Sequence, residues 1–502
     1  MTAVALVLAA LLVPLDDTAA VRLTADHQVL QRDASGVAAC VVELPAELFA
    51  GETVEYAVTR PGADPLRDTL RVAQDPERGR AGLLLKNLPA GGPYGIEVAA
   101  RGMDGKETFR AAFQGVLVGD LWILAGQSNM QGAAPVPGPQ TPHPLVAMLG
   151  MDNAWRPAAA PTHRIVESDA PVMKALLLGR GGYKSEGDIL AARKASREGT
   201  PWGGAGCDVF FAEFLANETK VPVGLIPCAF GGTSLDEWSP ALLDKGEASL
   251  YGNMAAQVKR AGGKVRGMLW YQGESDSAPG ACDTYFDRFK TFVESVRRDT
   301  GNPDLPVFTV QIGRVVVLAP ETALGWNKVR EQQRRAAREF PGVHVTAAND
   351  LQMSDGIHIG WDGHRVLGER LGRMALPLVR EGAAVRRGPD FEKAQFANEA
   401  RTEIWVDCSN VAGDLNGGGN IMRGFAVSAS ADEPGRDVFF AVQTVPGVPG
   451  RLLLRTGAPL APETLLSYGM GLNPAVNVVD ADALPLLAFG PAPIEPFAPP
   501  AG

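Results

Sequence analysis

Between residue 116 and about residue 380 the chain alternates short, almost wholly apolar runs with stretches of helical periodicity, and no other feature restricts its fold as strongly. VLVGDLWILAG, VPVGLIPCAF, VRGMLWYQG, LPVFTVQIG and GVHVTAA read as strands buried on both faces. Between them Tyr285, Phe289, Phe292, Val293 and Val296 recur at helical spacing, as do Leu367, Leu371 and Met374. A strand with no polar face needs cover on both sides, and helices supply it when each crosses over to a parallel neighbour. The expectation is an α/β fold: a flavodoxin-like, three-layer α/β/α domain with a parallel sheet, whose site lies at the carboxyl ends of the strands.

At 502 residues the chain is longer than one hydrophobic core usually organises, so a large domain of about 200 to 270 residues with smaller companions is expected. Residues 21–115 carry β-like runs (VAACVVEL, TVEYAV, YGIEVAA) between Gly, Pro and Asp turns, and read as an N-terminal β module. Residues 116–385 are the α/β domain. Residues 386–502 return to runs such as TEIWVDC, DVFFAVQTV and RLLLR, a C-terminal β module whose closing FGPAPIEPFAPPAG has too much proline for regular structure. Within the α/β domain, residues 133–206 form an insertion rich in Pro, Gly and Ala with few regular elements, read as a lid or pocket wall.

A formal net charge of -10 leaves no basic surplus to neutralise phosphates, so nucleic acid is not an expected partner. Residues 3–15 (AVALVLAALLVPL) are too few to span a membrane, and with the small residues Thr18, Ala19 and Ala20 they suit a signal peptide over residues 1–20 and a secreted or periplasmic location. Met1 and Thr2 bring no Lys or Arg, so the alternative is the first strand of a cytoplasmic protein. The five cysteines (Cys40, Cys207, Cys228, Cys282, Cys408) are widely spaced without a CxxC, and read as buried thiols or, at most, a disulfide compatible with export.

Four segments at strand ends carry the candidate chemistry. Ser128, in Gly126-Gln127-Ser128-Asn129-Met130, follows the strand VGDLWILAG directly, where a hydroxyl stands at the mouth of the sheet beside backbone N–H groups. It is not the G-x-S-x-G elbow, because Met130 replaces the second glycine, and a lone serine there is more often a helix cap. Asp355 precedes His358 by three residues across Gly356, so its carboxylate can fold back onto one imidazole nitrogen while the other faces the serine as general base. The bland reading is a helix cap with a histidine on its shoulder. His364 lies six residues beyond His358, on a different helix face and without a Cys or carboxylate cluster, so no metal site is expected. After VGLIPCA, Gly231-Gly232 allows a backbone N–H to approach an oxyanion, or is merely a turn. After VRGML, Gln272 can aim an amide at the same oxygen or be a satisfied polar group, and Glu274 can support a neighbour or serve as the triad's acid.

GDLWILAGQSNMQG, GGTSLDEW, WYQGESD and SDGIHIGWDGHRVLGERL resemble, in order, the four signature blocks of SGNH hydrolases, in the variant of sialate O-acetylesterases and related carbohydrate acetylesterases. Outside these, Asp26-His27-Gln28-Val29-Leu30-Gln31-Arg32 and Leu466-Ser467-Tyr468-Gly469 are similar to the β regions that precede and follow the catalytic domain in sialate O-acetylesterases. The resemblance implies an SGNH fold and a serine esterase with no cofactor, acting on an O-acetylated carbohydrate. Ser128 is implied as nucleophile, His358 and Asp355 as its partners, the Ser128 and Gly232 amides and Gln272 as oxyanion donors, and Glu274 as support. The sugar stays open, with Arg180, Arg193 and Arg314 as candidates to meet a sialate carboxylate. A lipid esterase or thioesterase on the same scaffold, or a silent carbohydrate-binding protein, are the rivals, and nothing in the sequence sets the oligomeric state.

Overall fold

The computed structural model describes residues 9–14, 20–45, 48–73, 81–199 and 203–499. Its central sheet is built on β1 (Glu107–Gly126), β2 (Val146–Leu149), β3 (Trp155–Pro157), β4 (Val223–Pro227), β5 (Gly267–Tyr271), β6 (Val307–Gln311) and β7 (Val343–Ala347), in the order β3-β2-β4-β1-β5-β6-β7. Neighbours along this path are parallel except for the antiparallel β2–β3 pair. Every residue of β4 to β7 is buried, including the polar Thr309 and Gln311 of β6 and His344 and Thr346 of β7, so both faces of these strands are covered. The connecting helices are α1 (Ser128–Gln131), α2 (Pro171–Gly179), α3 (Glu186–Arg197), α4 (Asp208–Thr219), α5 (Leu250–Arg260), α6 (Tyr285–Asp299), α7 (Ala323–Glu339) and α8 (Trp361–Glu381). α4 packs along α8, and α6 along α7.

The fold is mixed α/β with several sheets, and much of it is antiparallel. β1 is 20 residues long, roughly 66 Å at about 3.3 Å per residue. Its first half pairs antiparallel with Gly91–Arg101, and its second half is the middle of the parallel sheet. One strand thereby belongs to both the N-terminal β region and the helical region. Arg32 reinforces the junction: its guanidinium bonds both oxygens of the wholly buried Asp120 on β1 (2.9 and 2.8 Å) and the Val379 carbonyl of α8 (2.7 Å). At the other end a seven-stranded sheet encloses its own core of Phe391, Ile404, Leu452, Leu454 and Phe489. The buried Arg330 of α7 ties it down by donating to the carbonyls of Ile312, Gly313, Gly469 and Gly471.

Two expectations change. Residues 133–206 hold β2, β3, α2 and α3, so β2 adds a sixth parallel strand where a loop was expected; its four apolar residues are too short a run to stand out between prolines and glycines. The proline-rich tail contains the strand Phe489–Glu495, paired with Ala394–Gln395 and with Leu465–Tyr468. Pro491 and Pro493 are two residues apart, so both missing N–H groups fall on one side of the strand and the other side keeps its donors. Of the apolar start, Ala9–Pro14 pairs antiparallel with residues 81–86 at the edge of a four-stranded sheet, while residues 1–8 and 15–19 of the expected signal segment lie outside the described residues. None of the five cysteines is in a disulfide, and burial pushes the Cys40 thiol up to about 12. Among the described residues no helix is long and apolar enough to cross a membrane.

Candidate active site

The strand order turns at β1, where the chain continues to β4 on one side and to β5 on the other, and a crevice opens at such a point beyond the strand ends. Ser128 stands there. β1 ends on Gly126 at φ 135, where a Cβ would lie 2.2 Å from the Tyr271 carbonyl oxygen of β5, so glycine alone lets the two strand ends close up. Two residues later Ser128 opens α1, half-buried, and lines a pocket of about 880 Å³.

His358 lines the same pocket from the loop between β7 and α8. Asp355 shapes that loop: Oδ1 accepts the N–H groups of Ile357 (2.8 Å) and His358 (2.7 Å), and Oδ2 lies 2.7 Å from His358 Nδ1. Asp355 therefore caps this turn, not α8, whose N-cap is Gly360. Partial burial works to raise the Asp355 pKa, but the bonds from His358 and the two N–H groups outweigh it and hold the carboxyl below its usual range. Facing an ionised carboxylate, Nδ1 carries the proton, which leaves the lone pair of the neutral ring on Nε2. Among the described residues no hydrogen bond joins Ser128 to His358.

Asn129, to which the sequence reading gave no role, ties the two halves together. Its Nδ2 donates to Glu274 Oε1 (2.9 Å) and its Oδ1 accepts the Ile359 N–H (3.0 Å), with Asn129 itself buried. Glu274 lines the pocket but makes no hydrogen bond to His358; burial pushes its pKa up, and the Asn129 amide opposes the rise. Of the two carboxylates, the one bonded to His358 is Asp355. The only advance signal for Asn129 was its place beside Ser128.

Two residues of the pocket lining carry uncommitted backbone donors. Gly231 donates its N–H to Gln131 Oε1 (2.8 Å), whereas among the described residues the N–H groups of Ser128 and Gly232 have no protein acceptor. Gly232 sits in the left-handed region at φ 69 and lines the pocket. Gln272 is not brought to it: the residue is fully buried, and Nε2 donates to the Thr233 carbonyl (3.1 Å) and to Asp276 Oδ2. Of the three arginines, only Arg180 reaches the rim. Arg193 is held by Val166, Ser168 and Asp169, and Arg314 by Leu351 and Asn473. The lining is also apolar at Leu318, Leu324 and Ile357 and charged at Glu321 and Lys328. Among the described residues no group of three or more His, Cys, Asp or Glu side chains is placed to hold a metal.

Over residues 118–377 the chain matches the model of a family described as carbohydrate esterase, sialic acid-specific acetylesterase. The protein is thus a carboxylic ester hydrolase. Because the match spans just over half of the chain and includes Ser128, Gly232, Glu274 and the Asp355–His358 turn, the chain belongs to the sialic acid-specific acetylesterase family of carbohydrate esterases. A protein named "Probable carbohydrate esterase" from Arabidopsis thaliana is 25% identical over 280 residues, covering 51% of this chain and 90% of that one. Sialate O-acetylesterase of Homo sapiens is 24% identical over 244 residues, which are 43% of this chain and 42% of the human one, so less than half of that relative is spanned. The crystal structure of a carbohydrate acetylesterase from Xanthomonas citri shares the fold over 93% of this chain and 97% of its own, with a TM-score of 0.61 at 22% identity.

Proposed function

We propose that this chain is a serine esterase that removes O-acetyl groups from sugars, sialic acids or polysaccharide fragments, through an acetyl-enzyme intermediate. Ser128 attacks the acetyl carbonyl while His358 Nε2 takes its proton; the proton passes to the departing sugar hydroxyl, and water then releases acetate by the same route. Asp355 orients His358 and stabilises the imidazolium without taking its proton. The N–H groups of Ser128 and Gly232 receive the oxyanion. For Gln272 to serve as a third donor, Nε2 would have to leave Thr233 and Asp276. The observation that carries the reading is the meeting, in one pocket, of Ser128, the Asp355–His358 pair and two uncommitted backbone donors.

The strand order β4-β1-β5-β6-β7 supports an SGNH, flavodoxin-like domain over residues 116–385, with β modules over 21–115 and 386–502. For localisation we favour secretion, and amino-terminal sequencing of the exported protein decides between cleavage near residue 20 and retention of Ala9–Pro14 as a strand.

The test is acetate release by wild type and Ser128→Ala from an aryl acetate and a panel of O-acetylated sialic acids and xylan fragments. Release that vanishes with the serine supports the mechanism, and the panel names the sugar; release unchanged in Ser128→Ala ends it. The apolar wall at Leu318, Leu324 and Ile357 favours one second reading, a lipid esterase or thioesterase. Aryl esters of increasing chain length separate the two, because an acetylesterase falls off sharply beyond acetyl.

A further inference from the structure

The insertion at residues 133–206 reaches the oxyanion loop through Arg180, the C-cap of α2. Its Nη1 donates to the Gly232 carbonyl (2.6 Å), and its Nη2 meets Glu237 Oε1 (2.7 Å). Glu237 in turn accepts the Ser234 N–H (3.0 Å) and hydroxyl (3.3 Å) through Oε2. The guanidinium fork thus bridges Gly232 to the segment that follows it, two contacts at a fixed angle that a lysine ammonium cannot reproduce.

We propose that Arg180 is a positioning residue, a clamp by which the insertion holds the Gly232 N–H in the direction an oxyanion needs. This rests on Gly232 being a donor in the reaction. The residues around Gly232 are anchored from the protein interior: Gly231 by Gln131, Thr233 by the Phe230 carbonyl and Gln272, Leu235 by Asp276. Gly232 has no such anchor. A Cβ built on it would find only Arg180 Nη1, at 3.9 Å, within 4 Å, so on that side nothing but Arg180 packs against it, and glycine supplies no side chain of its own. Among the described residues the Arg180 bond to its carbonyl is the one hydrogen bond Gly232 makes. The same contacts argue against Arg180 as the binder of a substrate carboxylate, because the incoming group would face Glu237, which already occupies the fork.

The experiment measures kcat and KM of wild type, Arg180→Gln and Arg180→Lys on an uncharged aryl acetate and on an O-acetylated sialic acid, with unfolding midpoints and fluorophosphonate labelling of Ser128 in parallel. Misdirecting one oxyanion donor costs part of the hundred- to thousandfold that deleting it costs, so Arg180→Gln should lower kcat about tenfold on both substrates with KM within about twofold. Arg180→Lys should recover only part of the loss. Should Arg180→Gln fold poorly, Glu237→Gln loosens the clamp from its other end and should lower kcat about threefold on both substrates. Should wild-type turnover survive Ser128→Ala and no labelling occur, the esterase mechanism fails and the clamp with it. With turnover dependent on Ser128, an unchanged kcat on the aryl acetate refutes the clamp alone. A loss confined to the sialic acid and expressed in KM refutes it too, and makes Arg180 a carboxylate-binding residue.

Discussion

Asn129→Ala separates the support of the site from its chemistry. The side chain is buried and makes two hydrogen bonds, one to the buried carboxyl of Glu274 and one from the Ile359 N–H, the residue after His358. The neutral bond is worth about 1 kcal/mol and a bond to an ionised carboxylate about 1.5–3 kcal/mol, so with Glu274 ionised the substitution should cost roughly 2.5–4 kcal/mol. Burial already raises the Glu274 pKa, and Asn129 opposes that rise, so its removal lifts the folded-state value further. A carboxyl whose folded pKa lies above its unfolded value loses stability as pH rises through that window. The variant's window extends to higher pH than that of the wild type. The gap between the two proteins should therefore widen as pH rises through the range in which Glu274 ionises, from roughly 2 kcal/mol where it is neutral and two ordinary bonds are lost to roughly 2.5–4 kcal/mol where it is ionised. Urea unfolding of both proteins from pH 5 to pH 8 measures it, and steady-state kinetics should show kcat reduced about tenfold with KM nearly unchanged as the His358 loop loses its anchor. A difference under about 1 kcal/mol and independent of pH would refute the reasoning, because Asn129 would then be supporting neither Glu274 nor the loop.

Asp355→Asn keeps the shape of the turn but exchanges an ionised acceptor for an amide at His358 Nδ1, and should lower kcat about 10²–10⁴-fold with KM little altered; a loss under tenfold points to a different orienting group. Gln272→Ala should lower stability by about 1–3 kcal/mol, since it strips a buried bond from Thr233 and another from Asp276, while kcat stays within about threefold. A hundred- to thousandfold fall in kcat at unchanged stability would instead make Gln272 an oxyanion donor. Asp208 is wholly buried, and although the Thr162 hydroxyl and the Val209 N–H favour its charged form, burial pushes its pKa up to about 6. Its folded value exceeds the unfolded value of about 3.9, so its contribution is fully present below about pH 4 and is lost as pH rises through 6. Asp208→Asn, which can still accept from Val209, should therefore gain on the wild type by on the order of 2 kcal/mol between pH 4 and pH 8. Parallel stability curves would show that Asp208 does not titrate as stated.

How much of this site the sequence discloses follows the range of each contact. The strands of the central sheet could be read because burial on both faces makes their runs mostly apolar, and Ser128 because it sits two residues past such a strand. The Asp355–His358 contact spans three residues and is closed by the backbone of its own turn, so spacing alone implied it. β2 is not legible in the sequence because four apolar residues carry no period of their own, nor is the Phe489–Glu495 strand, because proline is a poor ladder member except where one side needs no donors.

The contacts that complete the site are of another kind. Asn129 meets Glu274 across 145 residues of chain, and Arg180 meets Gly232 across 52. Gln272 stands at a strand end where an oxyanion donor was expected, but Thr233 and Asp276 take up its amide. Pattern along the chain determined which backbone segments are strands and which ends carry the serine, the glycine pair and the histidine turn, because periodicity and short turns are local properties. Which polar side chains are spent on structure and which remain for the substrate was decided only in three dimensions, where each donor bonds whatever acceptor packing brings within about 3 Å, whatever its distance in sequence.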